Sequence, residues 1–308
     1  MMSGFINLNK PVGFTSHDCI AKLRKLLHTR KIGHGGTLDP AATGVLPVAV
    51  GKATRLLQFL PAPKAYRARI RLGVTTTTDD LEGEIIRQVD RFELDQAQIS
   101  DRLQGFIGTI DQVPPIYSAI KKDGRKLYDL ARKGEQITVE ARKVTISELK
   151  LLDITQKEFW ELEVEIACSP GTYIRAIARD LGEQLGVGGT LANLIRTESC
   201  GLRLEDSLTF EEIEQQLSQQ TFELIEPRML LSHLDKAVLT EEDAALWCQG
   251  QLVDLSQAVD SSKEISTFIP EYYLVTYGKD QTFLGMSILY KRNGVLKLKP
   301  KIVLDVAD

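Results

Sequence analysis

The sequence predicts an α+β fold: a mixed or antiparallel sheet flanked by helices, followed by a small β-rich C-terminal domain. Three observations lead there. Helical and strand patterns intermingle without the strand–helix–strand rhythm of a parallel α/β protein. Residues 66–72 alternate between apolar side chains and arginine, the period of a half-buried strand. The last quarter of the chain holds three strand patterns separated by turn signals. The 308 residues, 43 % hydrophobic and 26 % charged, exclude a disordered chain, a collagen-like fibre and a disulfide-stapled miniprotein. At roughly 150 residues per domain, about two are expected.

The elements follow in order. Thr15 or Ser16 can cap a helix reaching about Leu27, with Ile20, Leu23, Leu26 and Leu27 at helical spacing. Gly33 to Pro40 is too rich in glycine for regular structure and reads as a loop. Helical spacing resumes over Ala53–Leu60 and stops at Pro61 and Pro63. In the strand that follows, Tyr66, Ala68, Ile70 and Leu72 share one face and Arg67, Arg69 and Arg71 the other. Residues 95–106 read as a helix, 144–154 and 158–167 as two strands, and 172–185 as a helix with Ile174, Ile177, Ala178 and Leu181 inside. Residues 205–226 read as an acidic amphipathic helical region. Beyond Ser232 come a short helix, 241–249, and strands at 272–277, 283–290 and 295–303, the last two joined by a turn ending at Gly294. This change of character divides the chain into 1–232 and 233–308.

No stretch approaches the ~18 apolar residues of a membrane span, and the first residues lack the pattern of a signal peptide. Cys19, Cys168, Cys200 and Cys248 lie far apart, as expected of reduced thiols in a cytoplasmic protein. The net charge of −4 hides an asymmetry. Residues 1–71 hold twelve Lys and Arg against Asp18 and Asp39, a balance of +10, and the remainder balances at −14. Such separation suggests a polyanionic partner on one face. A second cluster, Lys121 to Lys143, interleaves basic residues with tyrosine at 117 and 128. It has the composition of a nucleic-acid contact and equally of a solvated surface.

The segment Gly33-His-Gly-Gly-Thr-Leu-Asp-Pro-Ala-Ala-Thr-Gly-Val-Leu-Pro47 is the most informative. Its glycines allow tight turns and close approach to a ligand. Asp39 sits in a field of positive charge, which favours its ionised form. A positioned carboxylate can be a nucleophile, a base or a metal ligand. The metal reading is weak, because no second carboxylate lies near in sequence. A phosphate cradle lacks the required Gly-Lys-Ser/Thr order, and a turn-capping role before Pro40 is a further alternative.

Leu8-Asn-Lys-Pro-Val-Gly-Phe-Thr-Ser16 and the run from Gly33 to Arg55 together resemble the TruB family of pseudouridine synthases. Later segments follow in the family's order: Lys64 to Arg67, Gly73 to Asp80 with Gly83 and Glu84, Gln112 to Lys121, and Ser169 to Asp180. The resemblance covers roughly residues 4–200 and is looser beyond 232, where family members often carry a PUA or PUA-like RNA-binding domain.

The resemblance implies isomerisation of uridine 55 in the TΨC loop of tRNA to pseudouridine, by base flipping and without metal or organic cofactor. Asp39 matches the family's catalytic aspartate, which attacks C6 or C1′ or assists a glycal route. Arg175 matches its active-site arginine, and Tyr66 the tyrosine that stacks under the target uracil and can help remove the C5 proton. Tyr173 and Leu194 match residues lining the pocket, and His34 the histidine that fills the vacated stack. Lys10 is expected to have a structural or phosphate role, and Asp80 to orient basic side chains. Residues 117–143 match an insertion that closes on the tRNA arm. A monomer is expected. Two alternatives remain: an inactive RNA-binding protein, and a base-excising glycosidase that would release free uracil.

Overall fold

The computed structural model describes residues 3–118, 121–122, 125–127, 138–255, 272–293 and 295–304. The chain opens with β1 (Gly4–Lys10), α1 (Ser16–Leu26), β2 (Ile32–His34), β3 (Thr43–Val50) and a 3-10 helix over Gly51–Phe59. Then come β4 (Lys64–Leu72), the short hairpin β5 (Val74–Thr76) and β6 (Ile85–Gln88), α2 (Gln96–Gln104) and β7 (Gly108–Gln112). A two-residue pairing of β8 (Lys121–Lys122) with β9 (Arg125–Lys126) precedes β10 (Arg142–Gln156) and β11 (Trp160–Cys168). Next are α3 (Ile174–Gln184), β12 (Gly189–Ser199), β13 (Leu202–Arg203), α4 (Phe210–Ser218) and α5 (Pro227–Leu230). The end of the chain adds β14 (Lys236–Leu239), α6 (Glu241–Cys248), β15 (Val253–Asp254), β16 (Tyr273–Gly278), β17 (Phe283–Arg292) and β18 (Val295–Val303).

The first sheet has nine strands, ordered β1-β3-β12-β4-β11-β10-β7, with β2 on β3 and β13 on β12. All its pairings are antiparallel except a short parallel contact, Ile195 opposite Thr43 and Arg196 opposite Gly44. The predicted mixed sheet is therefore present. On one side, β4, β11 and β12 pack with α2 and α3 into a core that includes Tyr66, Ala68, Ile70, Ile99, Val164, Ile177 and Leu181. On β1 and β3, α1 and α4 cover a second core through Cys19, Ile20, Leu23, Phe210 and Ile213. A capping box starts α1: the Thr15 hydroxyl accepts from the Asp18 amide and the Asp18 carboxylate accepts from the Thr15 amide.

The second sheet has five strands, ordered β14-β16-β17-β18-β15. Its core surrounds Trp247, whose indole donates to Ser287 Oγ at 2.9 Å. Another apolar cluster joins Phe5, Val45 and Leu56 to Val275, Met286 and Ile302.

Several expectations need correction. The Ala53–Leu60 segment is a 3-10 turn rather than an α-helix. Gly33 and His34 belong to β2, paired with Ala49 and Val48, rather than to a loop. Only Phe210–Ser218 of residues 205–226 is α-helical, and Ile225 instead bridges Phe5. The turn residue Gly294 and most of 117–143 lie outside the described residues.

Candidate active site

The loop between β2 and β3 carries Asp39, and its two neighbours are tied from below. The Ser16 hydroxyl accepts from the Leu38 amide at 2.9 Å. The Gly13 amide donates to the Pro40 carbonyl at 2.9 Å. Lys10 is fully buried, and its Nζ donates to the carbonyls of Pro11, Phe14 and Pro40 at 2.9, 2.6 and 3.2 Å. Burial pushes the Lys10 ammonium below its usual range. Leu38 itself sinks into the core that holds Tyr66. Asp39 is thus pinned on both sides while its own side chain stays about half exposed (45 %).

Arg175, in the first turn of α3, meets that carboxylate. Its Nη2 lies 3.0 Å from Asp39 Oδ2 and donates to the Tyr117 carbonyl at 3.0 Å. Its Nη1 lies 3.5 Å from Asp80 Oδ2 and donates to the Thr78 carbonyl at 3.0 Å. The side chain is only 8 % exposed, so one planar guanidinium holds Asp39 from a fixed position.

The residues around Arg175 fix one another. Thr76 Oγ1 donates to the Asp80 carbonyl at 2.6 Å and lies 3.1 Å from Thr190 Oγ1. The Thr78 hydroxyl donates to the Asp80 carboxylate. Asp79, in left-handed backbone at φ +62°, pairs with Arg179 at 3.0 Å, and burial pushes its carboxyl above its usual range. Three of the four consecutive threonines, which suggested no role in the sequence, therefore brace this acidic loop: the Thr77 hydroxyl accepts from the Glu84 amide at 3.1 Å. Ahead of α3, the buried Gln112 side chain accepts from the Tyr173 amide at 2.9 Å and donates to the Tyr173 carbonyl at 3.1 Å.

Tyr66 and Leu194 project from the adjacent β4 and β12 into the same apolar cluster as Leu38 and Ile174. Tyr66 is only 7 % exposed, and burial pushes its phenol above the usual range. Asp39, Arg175, Tyr66 and Leu194 thus converge, with Tyr173 at the start of α3. His34 lies apart from the Arg175 contacts. It meets His17 edge-on, 5.5 Å between ring centroids. The two line a recess with Arg24, Arg30, Lys31, Ile32 and Leu57. Burial, then the neighbouring His17, pushes the His34 imidazole below its usual range.

The basic N-terminal segment is less cationic than its composition suggests. On the outer face of β4, Arg71 pairs with Glu161 at 2.7 Å, Arg67 with Glu165 at 3.3 Å, and Arg69 lies 3.8 and 3.9 Å from Glu161 and Glu163. Lys22 pairs with Glu214 at 3.0 Å. Three further basic residues of this segment, Arg24, Arg30 and Lys31, line the recess beside His34. Sequence reasoning missed Gln112, the Leu38 contact of Ser16, and Arg196. Ser16 and Gln112 lie within the sequence motifs, but their roles stayed hidden, as did that of Arg196, because each acts on residues distant in the chain. Among the described residues, no group of three or more His, Cys, Asp or Glu could hold a metal ion.

The arrangement is a carboxylate clamped by a buried arginine, next to an apolar cluster that holds a tyrosine. Residues 24–174 match the N-terminal domain of the TruB family pseudouridylate synthases. The chain is 54 % identical over 285 residues to the tRNA pseudouridine synthase B of Gloeothece citriformis, spanning 92 % of this chain and 90 % of that one. It is 49 % identical to the protein of the same name from Microcystis aeruginosa, over 98 % and 99 % of the two chains. A solved chain from a Cbf5-Nop10-Gar1 complex superposes with a TM-score of 0.74 at 25 % identity, covering 97 % of this chain and 84 % of that one. The chain belongs to the TruB family and is a pseudouridine synthase.

Proposed function

We propose that the protein converts uridine 55 in the TΨC loop of tRNA to pseudouridine, with Asp39 as nucleophile and no cofactor. The observation that carries this reading is the Asp39–Arg175 pair at 3.0 Å beside Tyr66 and Leu194. An ionised, oriented carboxylate is what cleavage of a C1′–N1 bond by covalent or electrostatic assistance requires. The named relatives act on tRNA, and that substrate class fits the cationic recess at Arg24, Arg30 and Lys31.

In the proposed sequence the target nucleotide leaves the stack, and its uracil enters between Tyr66, Tyr173 and Leu194. His34, which lines the recess, supports the space left behind. Asp39 takes part in breaking the glycosidic bond. The detached base turns while the apolar walls hold it, C1′ bonds to C5, the C5 proton leaves, and N1 gains a proton, so the product is an isomer of the substrate. Arg175 keeps Asp39 aimed throughout. Lys10 acts on the loop from below.

Residues 1–232 form the catalytic domain in this reading, with 117–143 closing on the tRNA arm. Residues 233–308 form a PUA-like RNA-binding domain. The enzyme works as a monomer in the cytoplasm. No helix among the described residues is long and apolar enough to cross a membrane.

The test is product analysis. Purified protein, with no added metal or nucleotide, is incubated with an unmodified tRNA transcript, and pseudouridine is quantified by position. The expected result is pseudouridine at position 55, absent with Asp39→Asn, while that variant binds tRNA within about tenfold of wild type. Modification elsewhere, or near-normal turnover by Asp39→Asn, overturns the reading. Free uracil as product would point to a glycosidase.

A further inference from the structure

Arg196 lies on β12 directly opposite Tyr66 on β4 and is fully buried. Among the described residues it makes no ion pair with a carboxylate. Instead its Nε donates to the Val45 carbonyl at 2.7 Å, and its two terminal nitrogens to the carbonyls of Thr37 and Gly36 at 3.3 and 3.2 Å. Those carbonyls stand at the two ends of the segment that carries Asp39. One guanidinium therefore ties the loop's entry to its exit.

The loop is shaped around this residue. A Cβ on Gly44, at φ +97°, would lie 2.3 Å from the Arg196 carbonyl oxygen. A Cβ on Gly36, at φ +152°, would meet Lys64 Nζ at 3.3 Å and Arg196 Nη1 at 3.7 Å. Of the glycines that suggested ligand approach in the sequence, Gly44 thus makes room for the β12 backbone at Arg196, and Gly36 for the Lys64 ammonium.

A guanidinium offers five N–H donors, and the three carbonyls use three of them. Arg196 stands opposite Tyr66 in the β4–β12 register, and its nearby charge opposes the upward push of burial on the phenol. A guanidinium cannot accept a hydrogen bond, so toward Arg196 the Tyr66 hydroxyl can serve only as an acceptor. A buried cation without a carboxylate is also a poor choice for stability alone, since an apolar side chain of similar volume often serves as well or better.

We infer that Arg196 is a positioning residue of the isomerisation, setting the Asp39 loop and the Tyr66 hydroxyl in register with each other. This rests on the reading of Asp39 and Tyr66 given above. It assigns to one buried side chain a coupling between the two reactive walls of the pocket.

The test is a double-mutant cycle on the full-length protein, using single-turnover rates at saturating unmodified tRNA. Arg196→Met removes the donors at similar length, Tyr66→Phe removes only the hydroxyl, and Asp39→Asn sets the inactive baseline. Arg196→Met should slow the single-turnover rate at least 50-fold while tRNA affinity stays within threefold. The double variant should be no more than threefold slower than the slower single variant, because both changes break one arrangement. Arg196→Lys should recover part of the loss. It also carries the cycle if the methionine variant does not fold.

A wild-type rate for Arg196→Met overturns the inference. So does a double variant whose loss is the product of the two single losses, or affinity falling in step with rate. An active Asp39→Asn protein would instead overturn the underlying reading, so the two failures are distinct.

Discussion

Replacing Lys10 with methionine separates a scaffolding ammonium from a phosphate contact. Its Nζ is spent on the carbonyls of Pro11, Phe14 and Pro40 at 2.6–3.2 Å, and the residue has no exposed surface. A buried carbonyl that loses its donor costs about 1–3 kcal/mol. Methionine, of similar length, relieves the penalty of burying a charge, which offsets part of the loss of three donors. The net destabilisation expected is about 2–4 kcal/mol. At roughly 2–4 °C per kcal/mol for a large domain, the midpoint should fall by about 4–16 °C. Catalysis should suffer too, because the Pro40 tether flanks Asp39, and a displaced reactive group costs on the order of tenfold or more in rate. The assay pairs thermal unfolding with tRNA binding across salt concentrations. A scaffolding lysine leaves the slope of log affinity against log salt unchanged, whereas loss of one phosphate contact makes it shallower by about one. A midpoint within 2 °C of wild type together with a shallower slope (change of about one) would refute the argument.

The arginine–glutamate ladder predicts that changing Arg67, Arg69 and Arg71 together to glutamine leaves the salt slope of tRNA binding unchanged. Changing Arg30 and Lys31 should make that slope shallower by up to about two; equal effects would undo this division of the surface. Gly44→Ala combines a positive φ with a 2.3 Å clash against backbone, so it should cost about 3–5 kcal/mol in chemical denaturation. Gly13→Ala, at φ +82° with open space around the position, should cost only about 1–2 kcal/mol, and similar losses would contradict the packing argument. His34 is held below the usual imidazole range by burial, so below about pH 6.5 the unfolded chain binds a proton that the folded one resists. Its contribution is therefore complete above that pH and lost as pH falls through it. Wild type should lose more thermal stability between pH 7.5 and 5.5 than His34→Gln, and parallel losses would argue against it.

What the sequence made legible was local. The capping box at Thr15 marked α1, and strict alternation marked β4, because neighbours in sequence decide both. Three of the longer strands escaped the reading. In β3, buried almost throughout, the apolar run is interrupted by Gly44 and Pro47 and has no period to detect. In β12, Thr190, Asn193, Arg196 and Glu198 blur any alternation. The short β1 offers the run Gly-Phe-Ile-Asn-Leu-Asn-Lys, which becomes a strand by pairing along its whole length with β3. The same distinction holds at the site. Asp39 and Arg175 were legible through their motifs, and the structure sets them in contact. The charge balance misled because Glu161, Glu163 and Glu165, which neutralise three arginines, lie ninety or more positions further along. Gln112 and Arg196 looked like ordinary polar residues until the fold buried them.

The ladder on β4 and β11 has one further consequence. Arg67, Arg69 and Arg71 stand opposite Glu165, Glu163 and Glu161, while Tyr66, Ile70 and Leu72 point inward between them. Each surface pair contributes little stability, about 0–1 kcal/mol. Their value lies in what they forbid. If β4 slid by one residue along β11, every arginine would face Leu162, Val164 or Ile166, and Tyr66 would turn out into water. The charges work as the teeth of a zip, and the tooth spacing keeps a tyrosine in the pocket on the far side of the sheet.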